Sequence, residues 1–171
     1  GVGFAPVKPQ DRDRVIDLME GVEDIPGATL RAGLPWNWES FPEFLDALDA
    51  MPRAIDVGAQ LPHHPLRVYV MGERAVRNEL ASADDIVTMQ SLAEAALRAG
   101  AFGFTTSRTE SHRTTRGEQV PGRYAAEDEL LAIGTVLGKV GHGAFGMLSD
   151  FENEAAEFDW ITRLGKSTGR P

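Results

Sequence analysis

The 171-residue sequence contains no cysteine. Disulfide staples, a thiolate nucleophile and thiolate-ligated zinc are therefore excluded within it. A cysteine-free chain suits the cytoplasm, which is the expected location. Positive charge is also scarce, with 17 Lys and Arg against 26 Asp and Glu, a net charge of -9. Such a chain repels a phosphate backbone or an anionic bilayer, so no nucleic-acid or membrane partner is expected and a small molecule is. No apolar run approaches the roughly 18 residues that a membrane span needs. Dinucleotide, phosphate-loop and nucleophile-elbow patterns are missing too: "GVGFAP" and "GHGAFG" have glycine pairs without the rest of the pattern.

What remains is an ordinary globular composition, 42% hydrophobic and 25% charged, long enough for a real core. Val2 to Ala5 read as the end of a strand closed by Pro6 and Pro9. Val15, Leu18, Met19 and Val22 fall at helical spacing. The following segment, 23–40, is long for a connection and is expected to be irregular, a possible lid carrying Trp36 and Trp38, which either stack on a ligand or bury in the core. Ser40 and Glu43 form a capping-box signature ahead of a helix with Phe44, Leu45, Leu48 and Met51 as its stripe.

A strand is expected from Ala54 to Leu61, with His63 and His64 extended beyond it. The clearest helix starts at a Ser82 cap, places Asp84 and Asp85 on the positive end of its dipole, aligns Ile86, Met89, Ala93 and Leu97, and stops at Gly100. Strands over Ala101 to Thr106 and Gly143 to Leu148 follow, with helices from about Ala125 to Lys139 and from Asn153 to Leu164. Short apolar strands alternating with amphipathic helices predict an α/β fold with a parallel sheet, either doubly wound or part of a (β/α)8 TIM-type barrel.

In both architectures ligands gather at the carboxyl ends of the strands. That rule selects His63 or His64 after one strand, Ser107, Arg108 and His112 after the next, and Ser149, Asp150 and Glu152 after the last. His142 precedes its strand and falls on the opposite rim. Two adjacent histidines in extended chain diverge, so at most one of them enters a site. Ser107 and Arg108 suit a carboxylate, because a guanidinium fork binds both oxygens while a hydroxyl adds a hydrogen bond. Asp150 reads as an acid/base group or as the cap of the last helix, the cap being the expectation.

Together "GVGFAP", "LMEGVEDIPG", "PHHPLRVYVMG", "AGAFGFTTSRT" with "HR" and "VPG", and the terminal "TGRP" resemble the N-acyl-D-amino-acid deacylase (D-aminoacylase) family of the amidohydrolase superfamily. The resemblance runs in order along essentially the whole chain. It implies a metal-dependent barrel of which these residues are a central slice of about four β/α units. It also implies zinc-assisted hydrolysis of an N-acyl amino acid amide by a longer parent, with the rest of the barrel polypeptide as partner. Both termini begin and end mid-pattern, so an internal fragment, inactive by itself, is the expectation.

Carried onto this sequence, the family's "Gly-His-x-x-Leu-Arg" element falls on Pro62 to Arg67, making His63 the catalytic-site candidate and Arg67 a substrate-binding one beside Ser107, Arg108 and His112. A family metal-ligand histidine falls near Leu148 or Ser149, neither of which replaces an imidazole, so no metal ligand is assigned within the chain. The competing expectation is a noncatalytic α/β domain that binds a small carboxylate or other anion.

Overall fold

A computed structural model describes all 171 residues. After a short 3-10 turn at Pro9–Asp11 come α1 (Arg12–Glu23), α2 (Gly27–Gly33), α3 (Phe41–Ala50), β1 (Leu61–Pro62), α4 (His63–Met71), α5 (Glu73–Val76), α6 (Ala83–Arg98), β2 (Gly103–Arg108), α7 (Glu127–Val140), β3 (Ala144–Ser149) and α8 (Glu154–Thr168). The strands form one parallel sheet in the order β1-β2-β3. A parallel α/β architecture is what the alternation of the sequence predicts.

Capping chemistry sets several boundaries as read from the sequence. Ser40 accepts from the Glu43 amide while the Glu43 carboxylate accepts from the Ser40 amide, and Ser82 and Asp85 repeat this reciprocal arrangement at α6. On α6, Met89, Ala93, Ala96 and Leu97 are buried. They join Leu61, Leu66, Phe104, Ile133 and Leu137 in the main core between the helices and the sheet. A smaller cluster of Ala125, Leu130, Trp160 and Leu164 seals α7 against α8.

Four expectations are corrected. The strand expected over Ala54 to Leu61 is confined to Leu61–Pro62, and Ile55 is 75% exposed. Its apolar residues have no sheet face to cover them, so composition alone misleads. Beyond it the chain is helical from His63, not extended. Pro65 lies in the first turn of α4, where its missing N–H is no loss. No strand forms over Val2 to Ala5, although Ala5 and Val7 are buried. The connection 23–40 contains α2, and Trp38 is a core residue whose indole N–H donates to the Phe4 carbonyl at 3.0 Å.

β2 and β3 pair in register from Gly103 opposite Ala144 to Arg108 opposite Ser149. That approach requires glycine at its first step. Gly103 has φ +149°, and a Cβ there would stand 2.0 Å from the Ala144 carbonyl oxygen. Gly103→Ala should therefore destabilise the fold by about 1–3 kcal/mol, the cost of forcing extra volume into a packed contact. An unchanged urea midpoint would contradict this register.

Candidate functional site

The sheet brings the carboxyl ends of its three strands side by side. β1 delivers His63 at the start of α4, and β2 ends in Thr106, Ser107 and Arg108. His63 Nδ1 lies 2.8 Å from the Thr106 hydroxyl, while Nε2 lies 2.7 Å from a carboxylate oxygen of Glu129, in the first turn of α7. Because an ionised carboxylate only accepts, we assign the ring proton to Nε2 and let the hydroxyl donate to Nδ1.

Arg67, one helical turn beyond His63 on α4, donates to both Glu129 oxygens at 2.8 and 2.5 Å and to the Glu79 carbonyl at 2.6 Å. His63, Arg67 and Glu129 are each 1% exposed. Burial pushes the Glu129 pKa up, but the His63 hydrogen bond and the Arg67 guanidinium outweigh it and hold the carboxyl below its ordinary range. Burial likewise lowers the His63 pKa, with Glu129 offsetting only part of that effect. The imidazole is thus neutral, oriented and fully hydrogen-bonded.

On the other side of β2, Ser107 is buried, and its hydroxyl is 2.9 Å from His112 Nδ1 and also contacts the Gly1 nitrogen. Burial lowers the His112 pKa. The loop after β2 therefore folds back so that two of the residues selected from sequence touch. Arg108 donates through Nε to Glu157 of α8 at 2.6 Å and through Nη1 to the Ala125 carbonyl at 3.0 Å, which commits half of its fork.

The expected cap at Asp150 is corrected. Asn153 caps α8 by accepting from the Ala156 amide. Asp150 instead accepts from the Thr109 hydroxyl and the Glu110 amide, both at 2.6 Å, and those two bonds lower its pKa. It pins the β2 loop to the end of β3. Nearby, Ser149 accepts from the Phe151 amide, and Leu148 is 50% exposed. No three His, Cys, Asp or Glu side chains converge so as to hold a metal ion. These residues alone do not fit one.

Glu129, Thr106 and the pinning role of Asp150 were not singled out in the sequence. The acidic start of α7 was visible, but a helix-dipole reading gives no reason for Glu129 to turn inward. His64 differs from its neighbour. It is 4% exposed, neither ring nitrogen has a hydrogen-bond partner, and it lines a cavity of about 560 Å³ between α1, α4, α5 and the β2 loop.

Comparison with known proteins agrees with the sequence resemblance. A D-aminoacylase of Alcaligenes xylosoxydans xylosoxydans is 29% identical over 174 residues, a match that takes in all of this chain and 31% of that protein. A D-aminoacylase structure described by its binuclear metal centre superposes with a TM-score of 0.65 at 25% identity, covering all of this chain and 30% of its own. An N-acyl-D-glutamate deacylase from Bordetella bronchiseptica, complexed with zinc and a phosphonate mimic of the tetrahedral intermediate, gives 0.61 at 25% identity over 78% of this chain and 26% of its own. No family profile matches the chain. The chain thus spans about a third of the length of the curated relative it matches.

Burial holds the His64 pKa down to about 3 from an ordinary 6.5. The unfolded chain takes up a proton below 6.5 that the folded chain refuses until about 3, so stability is full above that window and falls with pH through it. The contribution of this residue is about 1.4 kcal/mol per pH unit. His63 has the same sign, and Glu129 extends the loss to lower pH. Denaturation series between neutral and acidic pH should show His64→Phe flattening the acid slope by about that amount. An identical slope in the variant would refute a buried, neutral His64.

Proposed function

We propose that this chain, similar over its whole length to D-aminoacylases, forms part of a metal-dependent amidohydrolase barrel that hydrolyses the amide of N-acyl amino acids. One observation carries the reading. A similarity that covers the whole chain coincides with a parallel sheet whose carboxyl ends carry Ser107, Arg108 and the nearby His112. The half-buried β3, with one neighbour in the sheet, suits a further strand supplied by the same polypeptide.

Within that reading the residues divide by role. Ser107, Arg108 and His112 face the substrate, with the uncommitted end of the Arg108 fork offered to its carboxylate. His63 and Arg67 lie in the wall, where Glu129 fixes them. We assign His63 a positioning role, since both its ring nitrogens are engaged. Arg67, likewise enclosed, supports substrate binding through the wall it braces.

Any zinc or other metal that such an enzyme uses has to be held chiefly by residues outside these 171, because no suitable cluster forms among them. The cytoplasm remains the proposed location. The longer polypeptide should release the amino acid from N-acetyl-D-amino acids, and the 171 residues alone should give no turnover. His112→Ala in the longer polypeptide should lower kcat/KM by about tenfold or more, as expected for loss of a substrate hydrogen bond to a charged group. No hydrolysis by the longer polypeptide would overturn the reading, and unchanged kinetics in the variant would remove His112 from the site.

A further inference from the structure

The cavity beside His64 is built differently from the strand-end face. Its rim carries three guanidiniums, each already paired with a carboxylate: Arg14 with Glu73, Arg31 with Asp13 at 3.0 Å, and Arg116 with Asp17 at 3.3 Å. Glu118 adds a fourth carboxylate, 3.9 Å from Arg116. Both signs of charge are therefore available along one half-open cavity, with a small negative excess. At about 560 Å³ the cavity lies within the roughly 300–1,000 Å³ usual for small-molecule sites.

His64 is the feature that a purely structural cavity does not account for. The fold satisfies the neighbouring His63 completely, through Thr106 and Glu129. It leaves both nitrogens of His64 buried and unpaired on the cavity wall. Buried polar atoms without partners are rare in folded proteins and call for one, from a ligand or from water. On the rim of the same cavity, Thr115 and Arg116 of the β2 loop contact Asp17. Both loop residues are exposed, so those contacts cost little to open.

We infer that this cavity binds a free amino acid as its zwitterion, with His64 as the fixed uncharged contact inside it. The carboxylate of the ligand exchanges into a guanidinium pair and its ammonium faces the freed acidic group, so neither charge is left uncompensated. An anion alone meets the excess of carboxylates, and a cation alone leaves the guanidiniums unrelieved. The neutral imidazole offers one donor and one acceptor to either end. The inference rests on the deacylase reading only in that a free amino acid is a product of that reaction.

Calorimetric titration of the polypeptide that carries these residues tests it, with leucine of either hand as probe. Isocaproate lacks the ammonium and leucinamide lacks the carboxylate. Leucine should bind tighter than both by about tenfold or more, and His64→Phe should weaken leucine by a similar factor. Absence of leucine binding, comparators that bind as well as leucine, or unchanged affinity in His64→Phe would overturn the inference. No turnover is needed, so failure here in an active hydrolase leaves the deacylase reading standing, and leucine binding by an inactive polypeptide does the reverse.

Discussion

The carboxylate of Glu129 is the tie on which the strand-end architecture depends. It reaches from the first turn of α7 to two residues of α4, and through His63 it is linked to Thr106 of β2. One ionised group thereby fixes two helices and the central strand of the sheet. In a buried site such an ion pair adds little net stability by itself, because desolvation cancels most of the attraction. Its loss is another matter. Removing one partner leaves an uncompensated buried charge, which costs about 3–5 kcal/mol.

This arrangement makes His63 and His64 unlike each other despite their adjacency. Helical geometry turns successive side chains by roughly 100° on α4, so one imidazole faces β2 and α7 while the other faces the cavity. His63 is satisfied and immobile. His64 is neutral, unpaired and next to open space. The chemistry at the ends of the strands is accordingly divided into a braced wall, a Ser107–His112 face and a separate charged cavity.

The parallel sheet, the capped helices α3 and α6, and the selection of Ser107, Arg108 and His112 as strand-end residues were legible in the sequence, because periodicity, capping pairs and the strand-end rule are local signals. What was not legible depended on long-range packing. The histidine pair read as extended chain, yet His63 and His64 open α4, with Pro62 and Pro65 at its start, where prolines are tolerated. Ile55 and Val57 read as strand but have no covering layer. Glu129 looked like one more acidic residue at a helix start, and only the approach of α4 gives it two cationic or hydrogen-bonding partners. The choice of His63 over His64 as the residue nearest the chemistry came from motif matching, which carries no information on which ring nitrogens the fold will occupy.

The strand-end face as the place where an N-acyl amino acid meets this chain is the claim on which the functional account rests. A structure of the longer polypeptide with a nonhydrolysable N-acyl-D-amino-acid analogue tests it most directly. The ligand should lie within hydrogen-bonding reach of Ser107, Arg108 or His112 at the carboxyl ends of β2 and β3. A ligand held on the opposite rim, near His142, or elsewhere without contact to these strand ends would contradict it.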